Sequence, residues 1–139
     1  MSRAAVYSLL VGDTELSALG ITASTIFASN AVDTVTASPF LVLRWEEQTA
    51  RWGIANQRGK QLLTVWAHDR TGDYSRINAI LKRVETILTL ALHVPGTDGM
   101  TLTQCEWRGE SSDLYDDGFK TITRNSAYDV VSRQTEGAA

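Results

Sequence analysis

The sequence predicts an α+β domain: a single mixed or antiparallel sheet packed against one long amphipathic helix, with short helices at the N-terminus. Three observations carry this. From Asp73 to about residue 92, Ile77, Ile80, Leu81, Val84, Ile87, Leu88 and Ala91 recur at helical spacing. Two strand-like runs precede this stripe and two follow it, so the helix falls between strand pairs and covers one face of their sheet. The 139 residues, 43% hydrophobic and 21% charged, suit a single domain over 1–139 that buries an ordinary core without staples.

The elements follow in order. Ala5, Val6, Leu9 and Leu10 have helical spacing, and Gly12-Asp13 ends that turn. Asp13 then caps a second short helix through Leu16 and Leu19, stopped by Gly20. "ITASTIFASNAVDTVTASP" has no helical stripe and reads as extended chain and loop, with a short strand near 25–27. Pro39 opens "FLVLRWEEQ", a strand from Phe40 to about Glu46. "ARWGIANQRGKQ" reads as a hairpin connection or arm broken by Gly53 and Gly59. In "LLTVWAHD", Leu63, Val65 and Ala67 alternate with Leu62, Thr64, Trp66 and His68, which predicts a second strand.

Asp73 is placed to cap the stripe helix, and "HVPGTDG", with Pro95 and Gly96, to terminate it. In "MTLTQCEWRGES" the apolar phase changes between Leu102 and Cys105, the mark of a bulge or an edge strand. A last strand or strand pair runs from Phe119 to about Ser132, with a frayed tail from about 133.

Net charge is −3 but uneven: residues 1–43 sum to −2, 44–83 to +4 and 84–139 to −5. Such asymmetry suits a nucleic-acid face or complementary faces between subunits, although strung-out charges of this kind are commonly just solvated. The basic residues are spread over several elements and the isoelectric point is near 5.3, which argues against a nucleic-acid regulator. "MSRAAVYSLLVGDTEL" is too short and polar for a signal peptide or a membrane span, so synthesis in a cytoplasm without membrane insertion is expected.

Catalytic signals are thin. Cys105 stands alone and is expected to be a buried core thiol. His68 and His93 have no ligand spacing, and His93 is expected as a donor at the end of the long helix. Neither a phosphate loop nor a nucleophile elbow is present. Asp113, Asp116 and Asp117 in "SDLYDDG" raise a metal site, but they lack the alternating positions and distant glutamate of an EF-hand loop. Asp117-Gly118 before "FKTITR" reads instead as a hairpin turn in which glycine supplies the positive φ. No catalytic residue, cofactor or metal is therefore expected, and the protein is not read as an enzyme. Trp45 and Trp66 fall late in strands, where core packing explains them. Trp52, with Arg51 and Arg58 on a glycine-flanked segment, has the makeup of a subunit contact.

The order of segments resembles tail terminator (tail completion) proteins of long-tailed, non-contractile phages, siphophages, especially of actinobacterial hosts. The matching pieces are "AAVYSLLVGDTELSALG", "SPFLVLRWEE", "LLTVWAHDRTGDYSRINAILKRVETIL" and "DLYDDGFKTITRNSAYDVV", of which "VWAHDRTGDYSRIN" is the most specific. The resemblance implies a virion structural protein forming a homo-hexameric ring. Such a ring caps the head-proximal end of the tail tube, stops its polymerisation and presents the joint to the head–tail connector or neck. DNA would pass through the lumen without specific binding. On this reading Asp113, Asp116 and Asp117 form an acidic loop facing the lumen or a ring partner, and Arg51, Trp52 and Arg58 contact a subunit or the tube. Two alternatives remain at this point: a head-closure or connector protein of the neck, and a small ligand-binding or enzymatic domain.

Overall fold

The computed structural model describes residues 3–28, 39–48, 59–70, 73–118 and 120–134. Helices α1 (Arg3–Val11) and α2 (Thr14–Ala18) come first, then strands β1 (Ile26–Ala28), β2 (Phe40–Gln48) and β3 (Gly59–Asp69). Helix α3 (Ser75–Leu90) precedes β4 (Val94–Pro95), β5 (Met100–Glu110), β6 (Leu114–Asp116) and β7 (Thr121–Gln134). The sheet order is β1-β2-β3-β7-β5-β4, with β6 beside β7. β1 runs parallel to β2 and the other pairs are antiparallel, so the sheet is mixed.

Alternation along the strands sorts residues onto two faces. Leu63, Val65 and Ala67 are fully buried with Leu41, Leu43, Tyr128 and Val130, against Ile77, Ile80, Leu81, Val84 and Leu88 of α3. Ala5, Val6 and Leu10 of α1 and Leu16 of α2 complete the same core. Each fully buried aliphatic side chain contributes about 1.5–3 kcal/mol, which is why the stripe specifies where α3 lies. Among the described residues no helix joins the opposite face, where Val42, Leu62, Thr64, Trp66, Ala127 and Val131 are partly exposed.

Asp13 caps α2 as expected, its carboxylate accepting from the Leu16 amide at 2.9 Å. The strand near 25–27 is β1, shifted by one residue at each end, and β2 extends to Gln48 rather than stopping near Glu46.

The stripe helix is shorter than the expected 73–92, at sixteen residues. Asp73 lies one position too early to be its cap: Tyr74 is the N-cap residue, and the Asp73 carboxylate accepts from the Ser75 amide at 2.9 Å. At the other end Ala91 is already extended. His93 then turns left-handed at φ 53° and sends the chain into β4. The helix therefore stops before Pro95, which lies in a short edge strand opposite Thr101. His93 is two residues past the cap, and its amide donates to the Thr103 carbonyl at 3.2 Å instead of serving the helix end.

β5 carries register shifts between Leu102 and Gln104 and between Trp107 and Gly109. The first is the bulge that the phase change predicts; it lets Leu102 and Cys105 face the same core. β7 continues to Gln134, so Arg133 belongs to the sheet opposite Thr101 and not to a frayed tail. One flank of β7 is taken by β3 and the other is divided between β6 and β5. Ser111 bridges that division: its amide donates to the Asn125 carbonyl at 2.9 Å, and its hydroxyl accepts from the Asn125 amide at 3.0 Å.

Candidate functional site

The acidic segment after β5 folds into the β6–β7 hairpin. Asp116 pairs with Thr121, which leaves residues 117–120 as the loop. The left-handed position is Lys120, at φ 56°, rather than Gly118 as expected. A four-residue loop is most often built around a type I turn, and among its described residues the left-handed one stands where the chain re-enters the strand. Lys120 thus holds the strained angle, at the modest cost a non-glycine residue pays there.

The three aspartates do not converge. Asp117 is exposed at the tip. Asp113, with a side chain 60% exposed, lies 3.5 Å from Nε of Arg124. Asp116 is half-buried and bears on His68. Strand alternation separates them, since β6 puts Asp116 on the face opposite Tyr115. Among the described residues no group of three His, Cys, Asp or Glu side chains is placed to hold a metal ion.

Arg124, which sequence reasoning passed over, organises this region. Its Nε and Nη2 donate to the Ser111 carbonyl at 3.1 and 2.9 Å, and Nη2 also reaches Glu110 Oε2 at 3.1 Å. Nη1 donates to Asn78 Oδ1, tying the β5–β6 crossing to α3. A lone arginine in "TITRNS" carries no spacing signal for such a role.

His68 is 3% exposed, stacked on Phe40 with ring centroids 4.6 Å apart and hydrogen-bonded through Nδ1 to the Thr121 hydroxyl at 2.8 Å. Burial pushes its pKa down to about 4; the Asp116 charge opposes this and Arg70 reinforces it. The imidazole is therefore neutral at neutral pH and tied down in packing. Next to it, Asp69 is fully buried and accepts from Nε and Nη2 of Arg76 at 2.7 and 2.8 Å, fixing the end of β3 to the first turn of α3. A second two-pronged pair joins Asp13 to Arg83, again through Nε and Nη2, at 2.9 and 2.7 Å. The Arg83 hydrogen bond holds the Asp13 pKa below the ordinary carboxylate value.

Cys105 is buried as expected, and burial raises its thiol pKa to about 12, so it is no nucleophile at neutral pH. Trp45 packs on the core only from its edge, and Trp66 lies on the helix-free face with its ring 6.5 Å from that of His68. Core packing is thus only part of the explanation for either. Arg51, Trp52 and Arg58 lie outside the described residues.

At the β1 edge an apolar cleft of about 280 Å³ opens between α1 and the sheet, lined by Arg3, Ala4, Tyr7, Ile26, Leu43 and Trp45. The Arg3 guanidinium stands 5.6 Å over the Trp45 ring. The cleft joins residues from three separate segments, so no local sequence pattern announces it.

These features define an α+β domain with helices on one face of a mixed sheet, with two exposed apolar and acidic features at its edges. Among solved structures the chain is similar to one from the virion of a native gene transfer agent particle. That likeness covers 94% of this chain and 93% of the other, with a TM-score of 0.70 at 15% identity. A second solved chain matches 76% of this chain and 78% of its own length, with a TM-score of 0.50 at 17% identity. No family model matches the sequence, and no curated protein matches it significantly. At these identities the likeness is one of fold.

Proposed function

We propose that this chain is a structural protein of a phage-like virion, acting as a tail terminator: a hexameric ring on the head-proximal end of the tail tube. The observation that carries the reading is the end-to-end fold likeness to a chain of a gene transfer agent virion. The segment-by-segment resemblance to siphophage tail terminators supplies the finer role. Subunits of this size form rings through a heterologous contact whose rotation closes. Within such a ring, Asp113, Asp116 and Asp117 would face the lumen or a ring partner, where negative charge keeps passing DNA off the wall. Arg51, Trp52 and Arg58 are proposed as a contact with a subunit or the tube. The neighbours would be the tail tube protein on one side and the head–tail connector or neck on the other. The protein is assigned no catalytic step, cofactor or metal.

The test is to add the purified chain to polymerising tail tube protein and measure tube lengths by electron microscopy, with native mass giving the ring size. Capped tubes of limited length with a six-fold density at one end are expected. Unchanged tube growth, with binding to portal or adaptor instead, would move the protein to the neck.

A further inference from the structure

We propose that the β6–β7 hairpin of one copy docks through Tyr115 into the apolar cleft at the β1 edge of a second copy. The contact rests on the self-assembling reading above and names the surfaces that make it.

Five observations support it. Tyr115 is 60% exposed and Leu114 37% exposed, an unusual pair of large apolar groups for a polar hairpin. The Tyr74 hydroxyl donates to the Leu114 carbonyl at 2.7 Å, holding β6 against the start of α3. The hairpin is therefore presented in a fixed position, which lowers the ordering cost of binding. A cavity of roughly 150 Å³ holds a benzene ring, so the cleft of about 280 Å³ has room for a phenol and part of a neighbouring side chain.

Faces and edges also agree. Tyr115 is paired with Ile122, which packs against the helix-side core, and the cleft opens on that same side between α1 and the sheet. Along the sheet, β1 ends one edge and β6 lies at the opposite margin beyond β7. Two complementary patches at opposite edges make a head-to-tail contact, the kind that closes into a ring. Charge follows the same direction. Arg3 at the cleft is the cation, and the exposed Asp117 stands two residues beyond the incoming Tyr115 on the hairpin.

The experiment is a concentration series of native mass and sedimentation on the full chain. Wild type should associate, and Tyr115→Ser should raise the dissociation constant about thirtyfold, as expected for an aromatic anchor. Ala4→Phe, which fills the cleft from a partly exposed position on α1, should do the same while melting like wild type. Each variant retains one intact surface. An equal mixture of Tyr115→Ser and Ala4→Phe should therefore yield one-to-one dimers that grow no further. If wild type associates and both variants associate equally well, the docking contact is overturned and a self-assembling protein stands. A wild type that stays monomeric at every concentration also overturns it, whereas the terminator role is decided separately by the tube-length assay.

Discussion

Strands β3 and β5 are both eleven residues long and lie on opposite sides of β7, yet they behave differently. β3 is hydrogen-bonded along its length to β2 and β7 without a register shift. β5 pairs with β7 through two shifts, and on its other side β4 meets only Thr101 and Leu102. A central strand has neighbours on both sides, so an extra residue would break two ladders. An edge strand breaks one, and the resulting bulges also discourage unwanted pairing. Packing tolerance differs accordingly between the middle of the sheet and its margin.

The sharpest break of this comparison is Leu63→Ala against Cys105→Ala. Leu63 is fully buried in β3, and its truncation should cost about 3–4 kcal/mol in urea unfolding. Cys105, 7% exposed beside a bulge that lets the chain relax, should cost no more than about 1 kcal/mol. Equal losses would mean that β5 is packed as rigidly as β3.

Next come the charges at each strand. Asp69→Ala at the end of β3 removes a fully buried carboxylate from Arg76 and should cost about 2–3 kcal/mol. Arg108→Ala removes a half-exposed partner 3.4 Å from Asp129 and should change stability by less than about 0.5 kcal/mol.

His68 adds a pH dependence to the β3 end. Its folded pKa of about 4 lies below the ordinary 6.5, so the unfolded chain binds the proton more readily between those values. The sign follows: this contribution is complete above pH 6.5 and is lost as pH falls towards 4. Over that window wild type should lose about 2 kcal/mol more than His68→Gln, read from urea midpoints at each pH. Parallel curves for the two proteins would sink the assignment.

A smaller effect than that of His68 is expected at the second bulge. Gly109 has φ 141°, and an added Cβ would meet nothing within 4 Å. Gly109→Ala should therefore cost about 1 kcal/mol through backbone strain alone. A neutral outcome would show that the bulge shifts to accommodate the side chain.

Much of this arrangement was legible in the residues. The strict alternation of "LLTVWAHD" pointed to β3 and its buried face, and the broken phase between Leu102 and Cys105 pointed to the first bulge of β5. Both are local consequences of a two-residue period. The helix stripe located α3 but not its ends, because Tyr74 and Ala91 stop it through backbone angles that composition does not encode. The glycine in "DDG" suggested a turn, but the loop length, set by pairing across the hairpin, placed the left-handed residue at Lys120. The candidate assembly surfaces were only half visible: the acidic residues around Tyr115 stand together in the chain, whereas the cleft does not.

The sequence by itself determined the α+β class, the core stripe, the buried thiol and the capping of α2 by Asp13. These depend on periodicity and on contacts a few residues apart, which the order of residues already contains. Only the tertiary structure decided the pairs Asp69–Arg76 and Asp13–Arg83, the gathering of Ser111, Glu110 and Asn78 around Arg124, and the cleft beneath Arg3 and Trp45. In Asp13–Arg83 the partners are 70 positions apart, and in the Arg124 cluster Asn78 is 46 positions away. Folding must close loops of that length before such groups meet, and no short-range pattern records which of many charged residues will be brought together.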